Sequence, residues 1–270
     1  MQLLNRVLCS AAMLLTLGLS AETVKLTDAA AWANKPSPAI KFEDGVLSIT
    51  GRQALSGKTV FEIDPDKTYR ISCQVRAVGN DAQTISYIGY YPLDANKKIL
   101  PAVQVNTQGD TDGVLAEDAN KGDKTLKIKL NKPQPWKNIR NHWRIAFDAQ
   151  ADFSDLPNAK LSPSINPDET KLEGDTYEVA LNAPMTFSAT AGTAVRAHAG
   201  GGSMYVWYAK AKPEWQTLSF VTKGHSARGL SGKQFWKGSK FFKMLVFGNW
   251  YSLKTKPVLE IKDFQLEILD

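Results

Sequence analysis

The sequence predicts an all-β fold, an antiparallel two-sheet β-sandwich of the jelly-roll kind, and three observations carry that expectation. Short runs of alternating polarity recur along the chain, nearly all rich in Val, Ile, Thr, Tyr and Phe, the residues that suit a pleated, half-buried surface. Clusters of Pro, Gly, Asn and Asp stand between them as turn signals. No window keeps a 3.6-residue apolar period with caps, so no long helix is expected. Two sheets then bury one face each against the other.

Composition agrees with a folded domain: 43% of the 270 residues are hydrophobic and 22% charged, which excludes disorder as the main state. Lys and Arg (33) exceed Asp and Glu (27), but the excess is spread along the chain and not gathered in a stripe, which argues against a nucleic-acid partner. A chain of this length buries roughly 70–75% of its unfolded surface, so neither disulfide nor metal is needed to hold a core.

Taken in order, residues 1–20 read as a secretory signal peptide. Arg6 supplies the positive end, Val7 to Leu17 the apolar stretch, and Gly18-Leu19-Ser20-Ala21 the small residues of a cleavage site. That stretch is shorter than the ~20 residues of a spanning helix, and no later segment is longer. The expected product is exported, to the periplasm or beyond the cell, with no membrane span. Residues 21–270 are expected to form a single β-sandwich domain.

Twelve runs have strand length: Val46 to Thr50, Thr59 to Ile63, Thr68 to Val78, Thr84 to Tyr91, Thr125 to Leu130, Trp143 to Ala149, Tyr177 to Leu181, Ala194 to Ala199, Met204 to Ala209, Thr217 to Thr222, Lys240 to Phe247 and Val258 to Leu269. In the third, alternation puts Cys73 on the buried face with Ile71 and Val75, as a small core residue. The polar stretches near 106–124 and 151–175 are expected to be long loops.

One constellation stands out. Ala194-Val195-Arg196-Ala197-His198-Ala199 and Met204-Tyr205-Val206-Trp207-Tyr208-Ala209 flank Gly200-Gly201-Gly202-Ser203, which reads as a hairpin. Pairing Ala199 with Met204 sets His198 opposite Tyr205 and Arg196 opposite Trp207, with Tyr208 on the apolar side. Aromatic faces suit the C–H patches of a pyranose, and Arg and His donate to hydroxyls or carboxylates. The run His142-Trp143-Arg144 adds His142 and Arg144 on an outward face. The ligand-binding candidates are therefore Arg196, His198, Tyr205, Trp207, Arg144 and His142. The blander account is a cross-strand Arg–Trp pair that decorates the sheet.

Acidic turns at Asp94-Ala95-Asn96, Asp110-Thr111-Asp112-Gly113 and Asp118 to Asp123 space oxygens as Ca²⁺ loops do, yet none completes the twelve-residue EF-hand pattern. A structural Ca²⁺ is the one cofactor left open, with Asp94 among its ligands. Catalytic signatures are missing: there is no His-Glu-x-x-His, Cys-x-x-Cys, phosphate loop or dinucleotide fingerprint, and Gly224-His225-Ser226-Ala227-Arg228-Gly229 departs from a nucleophile elbow in its second glycine.

Three stretches resemble the carbohydrate-binding modules that share the galactose-binding-domain-like jelly roll: Asp64-Pro65-Asp66-Lys67-Thr68-Tyr69-Arg70-Ile71-Ser72, Tyr90-Tyr91-Pro92-Leu93-Asp94-Ala95-Asn96-Lys97-Lys98-Ile99, and Leu259-Glu260-Ile261-Lys262-Asp263-Phe264-Gln265-Leu266. The resemblance implies a jelly roll, a polysaccharide or oligosaccharide partner, and Asp263 near a structural Ca²⁺. The chain is longer than a typical single module.

The expected function is a non-catalytic, exported carbohydrate-binding protein, with acidic polysaccharides favoured by the basic residues of its site. One alternative is a jelly-roll polysaccharide lyase drawing on Arg196, His198, Tyr205 and Lys243, although the Gln-x-His and Arg-x-Glu signatures of alginate lyases are absent. Another is a structural or adhesive surface protein.

Overall fold

The computed structural model describes residues 22–79, 84–252 and 254–270. The expected signal segment, 1–20, lies outside them. Strands dominate, as alternation and β-branched content require. In chain order they are β1 (Glu22–Lys25), β2 (Ile40–Glu43), β3 (Val46–Thr50), β4 (Gln53–Ser56), β5 (Phe61–Glu62), β6 (Thr68–Val78), β7 (Ser86–Leu93), β8 (Gly113–Leu115) and β9 (Thr125–Leu130). There follow β10 (Trp143–Phe147), β11 (Leu161–Ser164), β12 (Lys171–Glu173), β13 (Thr176–Ala180), β14 (Ala194–Ala199), β15 (Met204–Ala209), β16 (Gln216–Lys223), β17 (Phe241–Gly248) and β18 (Val258–Leu269).

Two antiparallel sheets form a sandwich. One runs β16-β6-β18-β3-β2, with β1 also on β18; the other runs β15-β7-β17-β4, with β5 also on β17. Strand β6 buries Tyr69, Ile71, Cys73, Val75 and Ala77. Facing them, β7 and β17 bury Ile88, Tyr90, Phe242, Met244 and Val246 in the same cluster. Cys73 is a core thiol as expected, and burial pushes its pKa up to about 12.

Residues 113–199 build a third sheet, ordered β11-β10-β14-β8-β9-β13-β12. It curls until its first strand meets its far side: Ile165 bridges Leu181, and Asn182 N–H donates to the Ser164 carbonyl at 2.8 Å. Closing the sheet leaves a filled interior. Leu126, Ile128, Trp143, Ile145, Phe147, Val179 and Val195 belong to a second core cluster, separate from the first.

Buried residues thus fall into two clusters, one in the sandwich and one in the third sheet. Two expectations change. The stretches expected as loops near 106–124 and 151–175 contain β8, β11 and β12, short strands whose Pro163 or charged Lys171 and Glu173 hide the alternation. The hairpin is overturned as well. Strand β14 pairs with β10 and β8, whereas β15 pairs with β7, so Gly200 to Ser203 crosses from one core to the other. Val195, Ala197 and Ala199 bury with Ile145 and Phe147 of β10 in the second core, whereas Met204, Val206 and Trp207 of β15 pack on the first.

Candidate functional site

The sequence-predicted site divides between two places. Arg196 and His198 lie on the outer face of β14 but are 1% and 0% exposed, because residues 102–107 and 148–158 cover them. Arg196 is fully engaged: Nη2 donates to both Asp155 oxygens at 3.0 and 2.8 Å, Nη1 to the Gln150 carbonyl at 3.1 Å, and Nε to His198 Nε2 at 3.4 Å. His198 Nδ1 donates to the Val103 carbonyl at 2.8 Å, which leaves Nε2 as the acceptor that Arg196 needs. Burial, with Arg196 beside it, pushes His198 down to about 4, so the ring is neutral near pH 7. Burial pushes Asp155 up, but hydrogen bonds from Asn158 and Gln150 together with Arg196 hold it below the usual carboxylate range. Almost wholly buried, Arg196 and His198 tie the closed sheet to the segments that cover them.

The remaining predicted residues also separate. Trp207 packs on the sandwich core. Arg144 is half-buried, and its guanidinium donates to the Ser162 carbonyl at 2.9 Å, whereas His142 is exposed. Tyr205 alone reaches an open aromatic surface.

That surface is the outer face of the β15-β7-β17 sheet. Tyr87 lies opposite both Tyr208 and Phe247, Tyr205 lies opposite Gly89, and Tyr91 opposite Lys243. A bulge in β15 between Tyr205 and Trp207 lets Tyr205 and Tyr208 share this face while Trp207 turns inward. Strict alternation put Tyr208 in the core; it is 68% exposed. Phe247 anchors the cluster, stacked on Trp250 at 4.4 Å and edge-on to Tyr87, Tyr91 and Tyr205. Tyr87 packs at 4.4 Å from Tyr205, and its hydroxyl donates to that of Tyr251, which is 62% exposed. Burial raises the pKa of Tyr87, Tyr91 and Tyr205, so these phenols stay protonated and can donate as well as accept.

A separate cavity of about 880 Å³ lies beside Arg196, lined by Asp110, Asp112, Lys132, Phe153 and Arg228 among others. Its charges largely cancel: Lys132 pairs with Asp110 at 2.7 Å, and Arg196 is held by Asp155 with Asp112 at 3.8 Å.

Neither metal nor nucleophile chemistry gathers among the described residues. Asp94 Oδ1 accepts the Asn96 and Lys98 N–H groups at 2.8 and 2.9 Å, and Asp263 accepts from Gln74 at 2.8 Å. Asp118 and Asp123 likewise cap backbone N–H groups. No group of three or more His, Cys, Asp or Glu is placed to hold an ion among the described residues. Ser226 Oγ donates to the Arg228 carbonyl at 2.6 Å, and His225 bonds the Ser239 carbonyl at 2.8 Å, so neither activates the other. Arg196 and His198 are sealed away from Tyr205 and Lys243, which sit on another sheet, so the lyase groups do not converge.

No family model matches the chain, and neither the curated proteins nor the solved structures yield a match. The site therefore rests on its own geometry. Sequence reasoning named Tyr205 but placed Tyr208 inside and left Tyr87, Tyr91 and Trp250 unassigned. The available signal is the pair Tyr87 and Tyr91, which strand alternation puts on one face with Gly89 between them.

Proposed function

We propose that this chain is a non-catalytic carbohydrate-binding protein that holds glycan on the outer face of the β15-β7-β17 sheet. One observation carries the reading: Tyr87, Tyr91, Tyr205, Tyr208 and Tyr251 form a contiguous aromatic surface carrying phenol hydroxyls, on a sheet whose other face is core. Exposed apolar area of this kind marks an interaction site. Rings give flat surfaces for pyranose C–H groups, and phenols give hydrogen bonds to sugar hydroxyls. The signal-like segment at 1–20 fits a role outside the cytoplasm, where polysaccharide is met.

Affinity electrophoresis against a panel of neutral and acidic polysaccharides tests the reading. Retention by at least one is expected, and Tyr208→Ala should weaken it about 10-fold, the worth of one aromatic stacking contact. Because Tyr208 is mostly exposed, its melting temperature should stay within a few degrees of the parent. Retention unchanged in that variant, or no retention by any glycan, would remove the proposal.

A further inference from the structure

Trp250 is enclosed on both faces. Phe247 stacks on one side at 4.4 Å with an interplanar angle of 23°, and the Arg52 guanidinium lies 4.1 Å from the indole centroid. An arginine held over a ring keeps a fixed fork of donors, and its lost freedom is already accounted for before any ligand arrives. Arg52 is exposed and has no acidic partner among the described residues. Two further cations share the arrangement: Lys243 sits 5.3 Å from the Tyr91 ring and Lys97 5.1 Å from Phe241. Neither is ion-paired among the described residues.

The contrast with the opposite sheet is informative. There both arginines are ion-paired, Arg70 with Glu267 and Arg76 with Glu260, each at 2.7 Å, while Lys262 lies 4.4 Å from the Trp215 ring. On the aromatic face Arg52, Lys243 and Lys97 all lie over rings and none is ion-paired among the described residues. They are also spread out: four residues of strand separate Lys243 from Phe247, about 13 Å. A ligand matching this face carries several negative charges along an extended body that also offers ring faces.

Resting on the glycan-binding reading, we infer that the ligand class is a linear acidic polysaccharide. Arg52 takes one carboxylate or sulfate bidentately, Lys243 takes another further along the chain, and the exposed Tyr208 and Tyr251 receive the sugar rings. Uronate and sulfate esters share this chemistry, and the probes distinguish them.

The test uses the full chain with polygalacturonate, alginate, a sulfated galactan and, as controls, neutral galactan and xylan. Binding only to the charged polymers is expected, weakening steeply as NaCl rises from about 50 to about 500 mM. Arg52→Ala should lose about 10-fold, and Arg52→Lys should recover only part of it because the fork is gone. Lys243→Ala should weaken the same polymers while melting temperature is kept. Whether uronate or sulfate polymers respond more strongly to Arg52→Lys identifies the group bound. Neutral glycans held as tightly, with no response to salt, would overturn the acidic assignment and leave the aromatic platform standing. Retention of no glycan, or binding only to vesicles of anionic lipid, would overturn both. Wild-type salt dependence is read without any variant, so a poorly folding substitution does not protect the inference.

Discussion

Arg196, His198 and Asp155 show how one buried charge organises its neighbours. Taking a guanidinium out of water costs several kcal/mol unless its donors are met, and here a carboxylate, a carbonyl and an imidazole nitrogen meet them. The imidazole must stay neutral for this to work, because a protonated His198 would place a second positive charge 3.4 Å from Arg196 Nε. Its folded pKa of about 4 lies below the unfolded value of 6.5, so the unfolded chain binds the proton more readily. Stability should therefore hold above about pH 6.5 and fall as pH drops to 4, by about 3 kcal/mol in all. Asp155, held below its ordinary range, adds a further loss on acidification beneath its unfolded value of 3.8. Urea unfolding at pH 7, 5 and 4 measures this, with His198→Gln as the comparison. The variant should flatten the slope between pH 6.5 and 4, and an unchanged slope would place the proton uptake elsewhere.

At the scale of elements, the binding face depends on how closely β15 approaches β7. Gly89 faces Tyr205 across the bulge, and a Cβ there would press into the Met204 carbonyl and Tyr205 Cα. Gly89→Ala should thus push β15 outward, lowering stability by roughly 1–3 kcal/mol and disturbing the Tyr87–Tyr205 contact. Thermal melting and the near-ultraviolet circular dichroism of the tyrosines report the two effects, and unchanged spectra would mean the bulge tolerates the methyl. This element also marks where sequence reading stopped. Long alternating strands such as β6 and β9 were legible because one face is wholly apolar, as in Leu126, Ile128 and Leu130. Strands β14 and β15 were legible singly, but their pairing was not. A glycine-rich link of four residues satisfies hairpin geometry as well as a crossover, and the choice lies with the distant partners β10 and β7. The bulge escaped for a similar reason, since inserting one residue reverses which of Tyr208 and Trp207 faces out. Arg196 and His198 read as outward polar residues because nothing local reveals that segments 41 and 95 residues earlier fold over them.

In the whole molecule, the closed sheet enters and leaves the sandwich at a single place. Ala199 N–H donates to the Asn106 carbonyl at 2.9 Å, so the two connecting segments run side by side. None of the residues in the sandwich core comes from 106–203, and every aromatic of the binding face lies outside that span. An insertion whose ends meet can be removed with little strain on its host. The contacts that would be lost include Asn158 N–H to the Gln104 carbonyl, Gly200 N–H to the His142 carbonyl, Lys237 to the Phe153 carbonyl, Arg228 over the Phe153 ring, and His198 to Val103. A chain in which Asn106 is joined directly to Gly200 should therefore fold as a monomeric sandwich and keep glycan affinity within about threefold of the parent, a cost under 1 kcal/mol. Size-exclusion chromatography, circular dichroism and affinity electrophoresis measure the three properties. Aggregation would show that the sandwich needs the closed sheet as cover, and a folded but non-binding product would mean that residues 107–199 help to hold the glycan.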